Sequence, residues 1–169
     1  MGREQQASAA EILGVCRRLE LGASEVYERF AGRTEDPGLA AAFRKMSEQE
    51  AQHAAAVGRL LDRGDIEIPV LSRAELDALV GRVDAVRRDA NVPGLDVPAM
   101  LVVATALELS EMDELFGMAC RAGGIDPDVG RADHLSGLVE AAARLGATAG
   151  AVRHILASIA RFDRRAPAN

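Results

Sequence analysis

Phe43-Arg44-Lys45-Met46-Ser47-Glu48-Gln49-Glu50-Ala51-Gln52-His53-Ala54-Ala55-Ala56-Val57 is the stretch on which the fold turns. Phe43, Met46, Val57 and then Leu60 recur at spacings that line one face of an α-helix, with no alternation of the kind a half-buried strand shows. Glu50 and His53 fall on that same apolar face. Three residues apart on a helix, they stand about one turn from each other and point to the same side. A carboxylate in the middle of a buried stripe costs several kcal/mol unless a positive charge meets it.

The punctuation around this stretch sets the rest of the chain. Asp36-Pro37 reads as an N-cap with proline at the first helical position, and Gly64 as the stop, so a helix is predicted over 37–63. Upstream, Ser8-Ala9-Ala10-Glu11 is a capping box that opens a helix over 8–31, with Gly32 as its C-cap. Downstream, 65–72 reads as extended chain, and a second capping box, Ser72-Arg73-Ala74-Glu75, opens a shorter helix to about Ala90. Asn91-Val92-Pro93-Gly94 breaks it. Asp96 caps a helix over 97–122 that stops at Gly123-Gly124, and the last helix is expected over 132–162. Gly146 and Gly150 weaken the middle of that last helix. Two short connections and one long one, 64–96, describe a single all-α domain over 1–169: a four-helix bundle with one crossover, the crossover carrying the short helix.

Composition agrees and narrows the functional classes. Aromatics make up 3% of the 169 residues and Trp is absent, while Ala, Leu, Arg and Glu, all good helix formers, dominate. Twenty Lys and Arg against 26 Asp and Glu leave a net charge of −6, a poor footprint for nucleic acid. Arg161, Arg164 and Arg165 read as a helix C-terminus complementing its dipole. The two cysteines, Cys16 and Cys120, form no C-x-x-C pair, which excludes a zinc-ribbon module. Met-Gly-Arg-Glu-Gln-Gln at the start is no apolar signal region, and the run around Met100 to Leu107 is too short to span a bilayer. No membrane association is therefore expected, and a cytoplasmic location fits both this and the free thiols.

The same stripe reading applied elsewhere finds acidic groups at mid-helix again. The first helix gives Cys16, Glu20, Ala23, Tyr27, Phe30, and the third gives Leu101, Ala104, Glu108, Glu111, Leu115, Met118. Carboxylates central to three apolar stripes, with no Lys or Arg among them, point to a buried metal cation as the counter-charge. The chain also repeats itself weakly. Leu19-Glu20-Leu21 matches Leu107-Glu108-Leu109, and aligning His154 with His53 sets Ala151 where Glu50 stands. His154 lies off the strongest apolar stripe of the last helix, and His134 falls near that helix's exposed start. Cys16, Met46 and Met118 read as core packing.

Glu20, Glu50-x-x-His53, Glu108 and His154 together resemble the rubrerythrin and bacterioferritin branch of the ferritin-like di-iron carboxylate proteins, over nearly the whole chain. In that family a Glu from each of two helices joins a Glu-x-x-His from each of the other two. The resemblance implies Glu20, Glu50, His53, Glu108 and His154 as metal ligands, with Ala151 a departure that cannot bind metal. It further implies Glu111, three residues after Glu108, as a compensating carboxylate, and Tyr27 as the tyrosine near the site, although a buried tyrosine also reads simply as core. The implied cofactor is iron, two ions or one, with zinc or manganese as rivals. The implied activity is peroxide or oxygen reduction, or ferrous oxidation. With no rubredoxin domain, turnover would draw on a separate electron donor. The lost glutamate leaves open a non-catalytic metal-binding or scaffold protein. A homodimer or larger homo-oligomer is expected.

Overall fold

The computed structural model describes residues 5–68, 71–108 and 112–125, together with the helical positions 140 and 143. Among them are five helices and no strand: α1 (Ala9–Arg33), α2 (Pro37–Arg63), α3 (Arg73–Ala90), α4 (Val97–Glu108) and α5 (Met112–Gly123). The described residues form an all-α bundle. None of the described helices is long and apolar enough to cross a membrane.

Each helix start has a local cause. Ser8 Oγ accepts the Glu11 N–H at 3.3 Å while the Glu11 carboxylate accepts the Ser8 N–H at 2.9 Å, so two otherwise orphaned donors are satisfied reciprocally. Ser72 and Glu75 do the same for α3 at 3.2 and 2.8 Å. Asp36 accepts the Leu39 N–H at 2.6 Å at the head of α2, and Asp96 the Ala99 N–H at 2.9 Å at the head of α4. The ends differ more from expectation. Gly64 adopts φ 70° and stops α2 as a left-handed cap. Gly32, by contrast, stays inside α1, which runs on to Arg33 with extended Thr34 as its cap. Arg33 fixes that last turn by donating to the Ala90 carbonyl at 3.1 Å, tying it to the end of α3.

α1 packs chiefly against α2, and the rings of Tyr27, Phe30 and Phe43 lock the two together. Tyr27 and Phe43 stack with centroids 6.3 Å apart, and Phe30 meets Phe43 edge-on at 5.4 Å. All three rings are fully buried. The crossover is pinned at its first part: Ala7 N–H donates to Leu71 O at 2.9 Å and Arg73 N–H to Gln5 O at 2.8 Å, an isolated bridge between the N-terminal chain and the residues leading into α3. α3 then lies along α1, where Gly22 leaves room for the Arg87 guanidinium on its way to Glu25. α5 packs against α2 and α1. Its Gly123 sits against Leu60, and the Gly123 carbonyl accepts from Arg63 at 2.9 Å. Residues 109–111, between α4 and α5, and nearly all of 126–169 lie outside the described residues, so the expected last helix with Ala151 and His154 falls there too.

Candidate metal centre

The site is assembled where α1 and α2 face each other. α1 presents Cys16, Glu20, Ala23 and Tyr27 on one buried face, and α2 presents Met46, Glu50 and Val57, with His53 beside them. The helical spacing read from the sequence therefore delivers carboxylates into the interior, where Glu20 is 1% exposed and Glu50 3%. Glu20, Glu50 and His53 each offer one ligand atom, all within 4.8 Å of one another. His53 Nδ1 stands 3.2 Å from Glu50 Oε2 and 3.6 Å from Glu20 Oε2. The first is a hydrogen bond; the second is an ion-pair distance only. Glu20 Oε2 is buried and, among the described residues, has no hydrogen-bond partner.

The electrostatics follow from two carboxylates and one imidazole sharing a dry space. Burial pushes the Glu50 carboxyl up to about 7; His53 opposes this and Glu20 adds to it. Burial works against a charged His53, but the nearness of Glu20 and Glu50 outweighs it and pushes the imidazolium up to about 10. Without an ion, then, protons on His53 and Glu50 supply the positive charge that the carboxylates require. A divalent cation would meet the same requirement and would also give the orphaned Glu20 oxygen a partner. Carboxylate oxygens with one imidazole nitrogen form a donor set that suits iron, manganese or zinc.

Glu108 of α4 is buried as well. It is 5% exposed, and its Oε1 accepts the Tyr27 hydroxyl at 2.5 Å; that hydroxyl also lies 3.4 Å from the Ala104 carbonyl. It is not one of the three residues brought together at His53. Glu111 and His154, the remaining ligands expected from sequence, lie outside the described residues.

Two neighbours of the site were not singled out from the sequence for this place. Phe116 of α5 stacks on His53 with ring centroids 4.3 Å apart. Cys120, one turn later, is fully buried, and burial together with the Glu20 charge pushes its thiol up to about 11, with Arg121 pulling the other way. The stripe expected here ran through Leu115 and Met118. The buried face is instead Leu115, Phe116, Ala119 and Cys120, with Met118 half-exposed. The spacing 115, 116, 119, 120 is itself a helical pattern and carried the signal.

A ferritin-like helical bundle holding a buried carboxylate–histidine group able to take a metal ion is the class that fold and site define. Residues 11–92, covering most of α1 and all of α2 and α3, match the family model described as Rubrerythrin. Among curated proteins and solved structures, none matches the chain.

Proposed function

We propose that this is a non-haem iron protein whose Glu20, Glu50 and His53 hold at least one ion. The observation that carries the reading is the orphaned Glu20 Oε2, set among donors spaced for a single cation in the part of the chain that matches the rubrerythrin family. Glu108, Glu111 and His154 would be the further ligands that the family resemblance implies, to this ion or a second one. Bound iron would supply redox chemistry towards peroxide or oxygen, or would itself be the ferrous substrate of oxidation. The chain's own part is to keep the site dry, to neutralise the ion with carboxylates and to hold the imidazole on it. Tyr27 orients Glu108. Electrons would come from a separate donor, and we expect the chain to act as a homodimer or larger assembly. Zinc and manganese are the competing occupants.

Metal analysis followed by peroxide challenge of the ferrous protein tests this. Iron should bind tightly, and ferrous ion should be oxidised by stoichiometric peroxide far faster than in buffer. Glu50→Ala should lose tight binding, by about a hundredfold or more, since it removes both a ligand and a charge (roughly 3 kcal/mol of a buried charge interaction is already two decades). Tight iron binding that survives Glu50→Ala would sink the assignment. Binding without peroxide reactivity would favour a non-catalytic metal protein.

A further inference from the structure

The chain has two cysteines, on different helices, and the packing brings both to one layer beside the metal centre. α1 and α2 run antiparallel: Ser24 Oγ donates to the Ser47 carbonyl at 2.9 Å, and Glu20 Oε2 lies 3.6 Å from His53 Nδ1. Cys16, one turn before Glu20, therefore lies towards the C-terminal end of α2, with its Sγ 4.0 Å from Glu20 Oε1. α5 runs parallel to α2: Phe116 stacks on His53, and Gly123 sits against Leu60. Cys120, one turn after Phe116, is displaced from the metal centre towards that same end. Both thiols are fully buried, and neither is in a disulfide. α1 and α5 approach within 8 Å between Cα atoms, and bridging two cysteines requires Cα atoms within about 7 Å, so a small closing movement is enough.

Resting on the reading of Glu20, Glu50 and His53 as an iron site, we propose that Cys16 and Cys120 are a dithiol that supplies the two electrons of hydroperoxide reduction at that site and closes to a disulfide. Two S–H bonds break and one S–S bond forms, so the sulfurs give up two electrons and two protons. The O–O bond of hydrogen peroxide breaks, its oxygens take both electrons, and with the two thiol protons they leave as two waters. Buried thiols stay protonated and react slowly with peroxide by themselves, so the pair serves the neighbouring metal centre rather than attacking peroxide directly. One chain thus holds the reducing power for one peroxide. A separate donor, a thiol reductant, is needed only to reopen the disulfide.

Thiol counting on the full chain tests the proposal. The ferrous protein is given an excess of hydrogen peroxide without oxygen, unfolded in iodoacetamide and weighed by mass spectrometry. Both thiols should be lost together, and a digest should contain a Cys16–Cys120 linked peptide that dithiothreitol separates. Metal-free protein in the same peroxide should keep both thiols at least about tenfold longer. Oxygen added to a single sulfur, or a link formed only between chains, would overturn the proposal. Iron analysis of the same sample separates it from the reading on which it rests. Bound iron that peroxide oxidises while both thiols stay free overturns the dithiol alone; absence of bound iron overturns the metal site and the dithiol with it. The unmodified chain gives the decisive count, so no substituted protein has to fold.

Discussion

Glu108 on α4 and the pair Glu20 and Glu50 on α1 and α2 are all buried, and the described residues meet their charge in different ways. At Glu108 a neutral phenol does it: Tyr27 donates a 2.5 Å hydrogen bond to Oε1. At Glu20 and Glu50, among the described residues, two carboxylates approach one imidazole, and Glu20 Oε2 has no hydrogen-bond partner. A hydroxyl donor satisfies a buried acceptor without adding charge, and among the described residues Tyr27 is that donor for Glu108 Oε1. Among the described residues, the Glu20–Glu50 end sets two carboxylates beside one histidine. Its ligand atoms lie close enough together to hold a cation.

The largest consequence of that contrast is a pH dependence of opposite sign with and without metal. In the metal-free protein Glu50 titrates at about 7, above the ordinary 4.5, and His53 at about 10, above 6.5. Both protonated forms are therefore favoured by folding. Their contributions to stability are complete below pH 4.5 and pH 6.5, and are lost as pH rises through about 7 for Glu50 and towards 10 for His53. Metal binding displaces the same protons, so affinity should climb roughly a hundredfold per pH unit between about 5 and 7, and roughly tenfold per unit above that. Urea unfolding at pH 6 and pH 8.5, with and without zinc, reads both effects. The metal-free protein should weaken on going to the higher pH while the zinc-stabilised increment grows. If both forms shift in parallel, the protons and the ion do not share a site.

Much of this contrast was legible in the sequence, for physical reasons that also explain where it was not. Helical periodicity is a property of one segment, so Cys16, Glu20, Tyr27 and Phe30 could be placed on one face of α1, and Phe43, Met46 and Glu50 on one face of α2. Capping boxes are equally local, and those at Ser8 and Ser72 form as the sequence indicates. Which polar group answers which carboxylate depends on the register between helices, and periodicity does not contain that. Nothing local sets Tyr27 against Glu108, 81 residues away, rather than against Glu20. The end of α1 is the same lesson in small: Gly32 is a reasonable cap by itself, but the Arg33 contact with Ala90 carries the helix past it.

A second prediction addresses the Glu108 end. Tyr27→Phe removes one oxygen, keeps the ring stacked on Phe43, and leaves a buried Glu108 carboxylate short of its hydroxyl donor. The loss should be about 1–3 kcal/mol in urea unfolding of the metal-free protein, towards the upper end because the acceptor is a carboxylate. If Glu108 turns towards a bound ion, as proposed, the metal supplies the missing partner and the same substitution should cost the loaded protein less. An equal loss in both states would mean that Glu108 stays with its own pocket and takes no part in binding.

The smallest expected effect isolates the ring that stacks on His53 at the Glu20–Glu50 end. Phe116 stacks on His53 at 4.3 Å between centroids, within the range in which an aromatic face attracts a cation. The imidazolium titrates at about 10, so near neutral pH the stacked group in the metal-free protein is charged. An aromatic face then favours the protonated form by about 0.5–1 kcal/mol, which is less than one pKa unit. Phe116→Leu keeps most of the buried apolar volume and removes the π face. His53 should therefore titrate slightly lower, by less than about one unit, while staying above 6.5 because Glu20 and Glu50 remain beside it. The chain has three histidines, so His53→Asn identifies the resonance to follow by NMR in the metal-free protein. Weaker proton competition should raise metal affinity at neutral pH a few-fold at most. Phe116 also helps exclude water from His53, and that role predicts the reverse. If its main effect is to bury the imidazole, Phe116→Leu will admit solvent, raise the histidine pKa and weaken binding. The sign of a sub-unit shift thus decides whether α5 contributes a cation-binding face or only a lid.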